Sequence, residues 1–241
     1  MAPPDTMAPP DNDILWARAL RLAHGPTPAL DGVSLEVRQG EILAVTGPRG
    51  CGKTTLLACL SGQLVPDAGE VWFNSQPVHS MRPAARERLR RDRFGWVGAV
   101  PDLVPELRVW ENAALPLLLA GAGQRRARRA ADEWLRRLDA GNCAAKRPAA
   151  LTQAQRQRVA VARALVHAPR VLFADEPTAS LRQAEGAQVL RTLTNAARSH
   201  GITVVLATHD PGVAALADRS FSLLDGRATP AVRAAACSLS V

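Results

Sequence analysis

The sequence predicts an α/β domain in which a mainly parallel sheet is interrupted along the chain by a long helical segment. Three apolar runs, at 41–46, 171–175 and 202–207, are typical of strands that are buried on both faces. A helical stretch follows the first run and another separates the last two, as βαβ units require. Between 80 and 167 the chain is rich in arginine and alanine, which predicts an inserted helical subdomain.

Short strands are predicted to flank the beginning of this core. The segments 14–22 and 33–37 are apolar or alternating, and turn-forming sequences at 25–28 and 31–32 separate them. Residues 69–74 are predicted to form a further strand. We therefore expect an antiparallel β edge subdomain beside the parallel sheet.

The helical segment has one clear apolar face. Ala127, Ala131, Trp134 and Leu138 recur at helical spacing. The remaining faces carry the arginines Arg125, Arg126, Arg128, Arg129, Arg136 and Arg137. A solvated helix surface explains them better than a nucleic-acid groove does, because no aromatic residues alternate with them to stack bases.

The last part of the chain returns to α/β character. A helix is predicted over 183–199, and 220–224 followed by Asp225-Gly226 is typical of a closing hairpin. The sequence predicts three segments: a disordered leader at 1–12, a domain at 13–228 and a tail at 229–241. Within the domain, the core is predicted at 13–79 and 168–228, and the helical subdomain at about 80–167.

Composition excludes several classes of protein. The 241 residues are 47% hydrophobic, which rules out collagen-like and disordered chains. No run approaches the roughly 18 to 20 apolar residues of a membrane helix. The first residues have neither the basic region nor the apolar region of a signal peptide. The cysteines, at 51, 59, 143 and 237, show no metal-binding spacing, which favours free thiols.

The basic charge of the chain comes almost wholly from arginine. The formal net charge is +8, and Lys53 and Lys146 are the only lysines among the 30 basic residues. We attribute the arginine excess to codon bias, so a retained lysine is informative.

A phosphate-binding motif follows the first buried strand. Residues 47–54 match G-x-x-x-x-G-K-[ST], with a strand before them and a helix after them, as this motif requires. Its backbone N–H groups at a helix N-terminus suit a phosphate chain. Lys53 supplies a compact positive charge, and Thr54 a hydroxyl that can bind Mg²⁺. The motif residues are Gly47, Pro48, Arg49, Gly50, Cys51, Gly52, Lys53 and Thr54.

Three further polar residues end buried strands. Asp175 and Glu176 close one apolar run, and His209 closes the next. The carboxyl ends of strands are where open α/β sheets bind ligands. Asp175 is predicted to hold Mg²⁺ through water, and Glu176 to orient or deprotonate the attacking water.

Together these motifs resemble those of the ATP-binding subunits of ABC transporters. The resemblance covers residues 13–228, and its motifs are the loop 47–55, the segments 151–165 and 171–178, and Thr208-His-Asp210. Within the family the chain looks most like the lipoprotein-releasing and macrolide-export type. The resemblance implies a P-loop NTPase (RecA-like) core.

The resemblance also implies partners and residue roles. Two such domains pair head to tail, and each ATP lies between the Walker motifs of one and the signature loop of the other. Gly47 to Thr55 then bind MgATP, Glu176 is the catalytic base, His209 senses the γ-phosphate and His24 stacks on adenine. The partners implied are a transmembrane permease and a second ATP-binding subunit, with the chain in the cytoplasm on the inner face of the membrane.

The chain departs from the family pattern in three places. The signature loop, usually Leu-Ser-Gly-Gly-Gln, has lost both glycines, and its residues are Leu151, Thr152, Gln153, Ala154 and Gln155. Thr152 and Gln155 instead match a capping box. Ala99 stands where the family has a glutamine that senses Mg²⁺, and Arg182 where it has an aspartate.

These departures leave two functions open. One is an ATPase subunit of reduced activity that works with a non-identical partner whose signature loop is intact. The alternative is a nucleotide-binding regulatory or scaffold subunit with little hydrolysis. An ATPase acting on DNA or ribosomes is disfavoured, since the chain has room for neither a second cassette nor a long coiled coil, so no nucleic-acid partner is expected.

Overall fold

Two β-sheets and seven α-helices form the part of the chain that the computed structural model describes, residues 13–229. The predicted leader at 1–12, Cys237 and the rest of the predicted tail after Thr229 lie outside the described residues. The strands are β1 (Asp13–His24), β2 (Thr27–Arg38), β3 (Ile42–Thr46), β4 (Ala68–Phe73), β5 (Gln76–Pro77), β6 (Phe94–Val97), β7 (Val171–Asp175), β8 (Thr203–Thr208), β9 (Arg219–Leu224) and β10 (Arg227–Thr229). The helices are α1 (Lys53–Leu60), α2 (Pro83–Arg93), α3 (Val109–Leu119), α4 (Gln124–Arg137), α5 (Gln153–Leu165), α6 (Gln183–His200) and α7 (Pro211–Ala214).

The larger sheet has six strands in the order β10-β9-β3-β8-β7-β6. Strands β9, β3, β8, β7 and β6 run parallel, and β10 returns antiparallel to β9. The predicted parallel core and closing hairpin are therefore both present, and β10 extends one residue into the predicted tail, to Thr229.

The predicted antiparallel strands form a second sheet of their own, in the order β2-β1-β4-β5. The prediction of a turn at 31–32 was wrong, because these residues lie inside β2, where Asp31 pairs with Arg21. Helix α1 lies between the two sheets. Leu56 and Leu57 of this helix share one buried core with Leu20 of β1 and with Leu43 and Phe173 of the larger sheet. The helix that begins in the phosphate-binding motif is thus held from both sides.

The opposite face of the larger sheet is covered by helices. Because side chains alternate along a strand, Leu172 and Val204 point to this second core, where they pack with Val161 of α5 and Leu193 of α6. Helices α3 and α4 pack against α5 and extend the same core outward. On α4 the predicted apolar residues are buried and the six arginines are exposed, as predicted.

The segment 80–167 differs from the prediction in one respect. It contains β6, which pairs in parallel with β7 as the outermost strand of the larger sheet. Phe94 of this strand packs edge-on against Phe173, with ring centroids 5.3 Å apart. The strand has only four residues and follows α2 directly, with no glycine or proline to mark the boundary, so its pattern does not stand out from the helical sequence.

Among residues 13–229, no helix combines the length and the apolar character needed to cross a bilayer.

Candidate active site

The loop between β3 and α1 is shaped by glycines that the packing requires. Gly47 has φ +149°, and a Cβ atom there would lie 2.2 Å from the carbonyl oxygen of Leu223. Gly52 has φ +103°, and its Cβ would lie 2.3 Å from the carbonyl oxygen of Ala29. Both neighbours are backbone atoms that cannot move aside. Only glycine fits at these two motif positions.

Lys53 is the central cation of this loop. Its side chain is only 6% exposed, and Nζ donates to the carbonyl oxygens of Gly47 and Pro48, each at 2.9 Å. The same Nζ lies 3.6 Å from Oε1 of Glu176. The ammonium is therefore held inside the loop. In a nucleotide complex, phosphate oxygens would replace the two carbonyl oxygens as its hydrogen-bond acceptors.

Thr54 and Asp175 join the first turn of α1 to the end of β7. The Thr54 hydroxyl donates to Oδ2 of Asp175 at 2.8 Å. Oδ1 of Asp175 is buried and has no hydrogen-bond partner, and burial raises the pKa of this carboxyl. A buried carboxylate oxygen without a partner, beside a hydroxyl, is the donor set that Mg²⁺ prefers.

The pair forms no complete protein cage for a metal. Among residues 13–229 there is no group of three or more His, Cys, Asp or Glu side chains that could hold a metal ion. Mg²⁺ in proteins commonly takes one or two carboxylates and completes its shell with substrate phosphates and water. Thr54 and Asp175 fit this mode.

Glu176 and His209 meet because their strands are neighbours. Glu176 follows β7 and His209 follows β8, and β7 and β8 pair in parallel, with Asp175 opposite Ala207. Nδ1 of His209 lies 2.9 Å from Oε1 of Glu176. Glu176 has φ +47°, an unusual conformation for a residue with a side chain, and its N–H donates to the carbonyl oxygen of Ala207 at 2.9 Å. The backbone thus fixes the carboxylate at the edge of the sheet.

His24 lies at the side of the loop, at the end of β1. Its Nε2 is 3.5 Å from the hydroxyl oxygen of Thr55, and the ring is exposed. The second sheet therefore contributes one aromatic side chain beside the start of α1.

The 151–155 loop begins α5. The Thr152 hydroxyl accepts from the N–H of Gln155 at 3.3 Å, and Oε1 of Gln155 accepts from the N–H of Thr152 at 3.0 Å. Leu151 and Ala154 are buried. The predicted capping box is present, and within the described residues no hydrogen bond or ion pair joins this loop to residues 47–55.

Two functional candidates were not found from the sequence, and both hold the loop that contains Ala99. Ser180 donates to the carbonyl oxygen of Ala99 at 3.2 Å and accepts from Nε2 of Gln153 at 3.4 Å. Nε2 of the fully buried Gln157 donates to the carbonyl oxygen of Gly98 at 2.9 Å. For Gln157 a signal exists, since it is an amide among the alanines and valines of α5. Nothing in the sequence marks Ser180.

The chain is similar to a large family of known proteins. The family described as ABC transporter matches residues 30–179, which is more than half of the chain. An uncharacterized ABC transporter ATP-binding protein of Mycobacterium bovis is 40% identical over 201 residues, which are 83% of this chain and 61% of that protein. The lipoprotein-releasing system ATP-binding protein LolD of Paramagnetospirillum magneticum is 39% identical over 209 residues, 87% of this chain and 92% of LolD.

A solved structure shares the fold. It is the dimeric ATP-binding cassette MJ0796 in a post-hydrolysis state, bound to ADP and Pi. The TM-score is 0.84 at 30% sequence identity, and the match covers 90% of this chain and 97% of the other. The described residues therefore have the architecture of a nucleotide-binding cassette.

Proposed function

Because this chain belongs to the ABC transporter family and is similar to the lipoprotein-releasing system ATP-binding protein LolD, we propose that it binds MgATP and hydrolyses it to drive a membrane permease. The observation that carries this proposal is the convergence of Lys53, Asp175, Glu176 and His209 at one edge of the larger sheet. Each has the chemistry that phosphoryl transfer needs.

The division of roles follows from the contacts. Residues 47–55 wrap the phosphate chain, and Lys53 neutralises charge on the β- and γ-phosphates. Thr54 and Asp175 hold Mg²⁺, which when bound neutralises charge on the phosphate oxygens. Glu176 accepts a proton from the attacking water, and His209 positions that carboxylate through the Nδ1–Oε1 contact of 2.9 Å and reaches toward the γ-phosphate.

We assign His24 to the adenine side of the site. It lies beside Thr55, and an imidazole stacks on a base with less area than a tyrosine ring would.

The second part of the proposal is that the functional unit is a dimer with a non-identical ATP-binding subunit. In the 151–155 loop the side chain of Gln153 bonds Ser180 of its own chain, and the loop caps α5. A loop with these side chains cannot approach a partner's γ-phosphate as closely as glycine backbone can. A partner with an intact loop would complete the site at Lys53, while this chain would complete the partner's site poorly.

The assembly is completed by a membrane permease, with this chain peripheral to it on the cytoplasmic side. Nucleic acid has no place in the proposal, because the one aromatic residue of α4, Trp134, is buried and so offers no ring among the exposed arginines on which a base could stack.

ATP turnover by the purified chain, alone and with its co-purified partner, tests the proposal. We expect weak turnover alone and a large increase with the partner, and Glu176→Gln should lower both by about 10²- to 10⁴-fold. Brisk turnover by the chain alone that depends on Glu176 would contradict the mixed dimer. Binding of ATP without hydrolysis even in the assembled complex would favour a regulatory or scaffold subunit.

A further inference from the structure

A cavity of about 530 Å³ opens beside Glu176 and His209 and borders the phosphate-binding loop at Arg49. It lies between that loop, the segment after β7, and helices α6 and α7. Its apolar lining comes from Leu181, Ala187, Leu190, Val213 and Leu216. Its cationic lining comes from Arg49, Arg182 and Arg191.

The charge of this cavity is not balanced by the residues that the structure describes. Across residues 13–229, none of the three arginines forms an ion pair with a carboxylate. The lining holds two carboxylates against three arginines, and one of these carboxylates, Glu176, already pairs with Lys53. Glu176 contacts Lys53 and His209, and Asp210 accepts from the N–H of Gly212 at 2.8 Å as the cap of α7. The cavity therefore carries a surplus of positive charge at its mouth.

The combination of an apolar floor and a cationic rim selects the kind of ligand. A free oxyanion would satisfy the arginines and leave the apolar floor uncovered. A peptide segment with acidic and aliphatic side chains satisfies both. Cavities of this volume are large enough for several side chains.

A second copy of this chain fits the cavity poorly. In a two-fold dimer that closes over the nucleotide edge, each copy brings the same surface into the interface. Six arginines, Arg49, Arg182 and Arg191 from each copy, would then enter one interface with only the two Asp210 carboxylates to offset them. Like charges brought together in an interface disfavour that pairing and favour a partner of opposite charge.

We infer that this cavity receives an acidic segment of the non-identical ATP-binding subunit, and that its arginines exclude pairing of the chain with itself. The inference rests on the proposed dimer at the nucleotide edge. It adds the chemistry by which the partner is chosen: acidic residues opposite Arg182 and Arg191.

The chain itself supplies the probe. A charge-reversed copy, Arg182→Glu with Arg191→Glu, is mixed with fluorescently labelled chain that is otherwise unaltered, both carrying Glu176→Gln to slow hydrolysis. Association is measured by sedimentation at low salt with MgATP. We expect the mixture to associate at least tenfold more tightly than the unaltered chain with itself, and the difference to shrink as salt is raised.

A matched control carries the same change of charge far from the cavity. Arg125→Glu with Arg129→Glu alters two exposed arginines of α4 that form no ion pair with a described residue. This control should associate no more tightly than the unaltered chain. Equal association for the control and the charge-reversed copy would overturn the inference, as would no gain for either.

Two further measurements distinguish a peptide site from an oxyanion site, and the cavity from the nucleotide site. If inorganic phosphate strengthens association of the unaltered chain as much as charge reversal does, the cavity is an oxyanion site and the inference is wrong. Binding of a fluorescent ATP analogue is recorded in the same samples. Loss of nucleotide binding would contradict the proposed function, whereas tight association of the charge-reversed mixture would still support the cavity.

Discussion

Oε1 of Glu176 lies 2.9 Å from Nδ1 of His209, and the two residues are brought together by the parallel pairing of β7 with β8. The same oxygen lies 3.6 Å from Nζ of Lys53. One carboxylate therefore connects the cation of the phosphate-binding loop with the histidine at the edge of the sheet. This relationship gives the site its proposed chemistry.

Replacing Glu176 by glutamine should separate binding from hydrolysis. The amide keeps the shape of the side chain but cannot accept a proton from water. We expect turnover to fall by about 10²- to 10⁴-fold while MgATP binding is retained. Turnover is measured as phosphate release and binding by calorimetry. Unchanged turnover in Glu176→Gln would remove this residue from the role of base.

Replacing Asp175 by asparagine should raise the stability of the fold and lower its affinity for MgATP. Burial raises the pKa of Asp175, so its ionised form costs stability at pH values above that pKa. The neutral amide removes this cost, and we expect Asp175→Asn to unfold at a higher temperature without Mg²⁺. Its affinity for MgATP should fall about tenfold or more, because a charged ligand of the metal is lost.

The same raised pKa predicts a pH dependence of MgATP binding. The carboxylate that Mg²⁺ requires should become protonated at a pH higher than the ordinary value of 3.8. On acidification, the affinity for MgATP should therefore begin to fall at a higher pH than it would at a site whose aspartate has the ordinary pKa. Titrations of the unaltered chain between neutral and acid pH check this, and a flat profile for the unaltered chain would contradict it.

Replacing Thr152 by alanine should destabilise the domain by about 1 kcal/mol, because the N-cap of α5 loses its acceptor. The free energy of unfolding in urea is the measurement. Thr192→Ala is the matched control, since that hydroxyl bonds the carbonyl oxygen of Gln188 in the preceding turn of α6 and caps nothing. Equal losses in the two variants would show that the capping box contributes little.

His167 should make the fold sensitive to acid. Its Nε2 bonds the carbonyl oxygen of Phe94 at 3.0 Å, Nδ1 is buried without a partner, and burial lowers its pKa from 6.5. The unfolded chain therefore gains a proton that the folded chain resists, and stability falls as the pH drops below about 6.5, by up to about 1.4 kcal/mol per unit. Unfolding measured at pH 7.5 and 5.5 should show a smaller decrease for His167→Gln. The same decrease in both proteins would show that groups other than His167 cause the sensitivity to acid.

The larger part of the site could be predicted because it depends on local patterns. The buried runs ending at Asp175 and Ala207 identify two parallel strands, and parallel strands place Glu176 and His209 at one edge. The loop around Lys53 has a motif of its own. In each case the residue type and its distance from a strand end are sufficient.

The remainder depends on contacts between distant segments. Strand β6 is defined by its pairing with β7 rather than by its own four residues. Ser180 matters because Ala99 and Gln153 lie beside it, at sequence separations of 81 and 27 residues. The cavity around Arg182 and Arg191 exists only once α6 has packed beside the phosphate-binding loop. Contacts between such distant segments cannot be predicted from the spacing of residues along the chain.

Calorimetric titration of the chain with MgATP tests the central claim most directly, with Lys53→Met as the variant and Lys146→Met as its control. Lys146 is exposed and is the only other lysine in the chain. Methionine keeps the length of the Lys53 stem and removes its charge. We predict that the unaltered chain and Lys146→Met bind MgATP equally, and that Lys53→Met binds about tenfold more weakly or not at all. Equal binding by all three proteins, or no binding by the unaltered chain, would contradict the account.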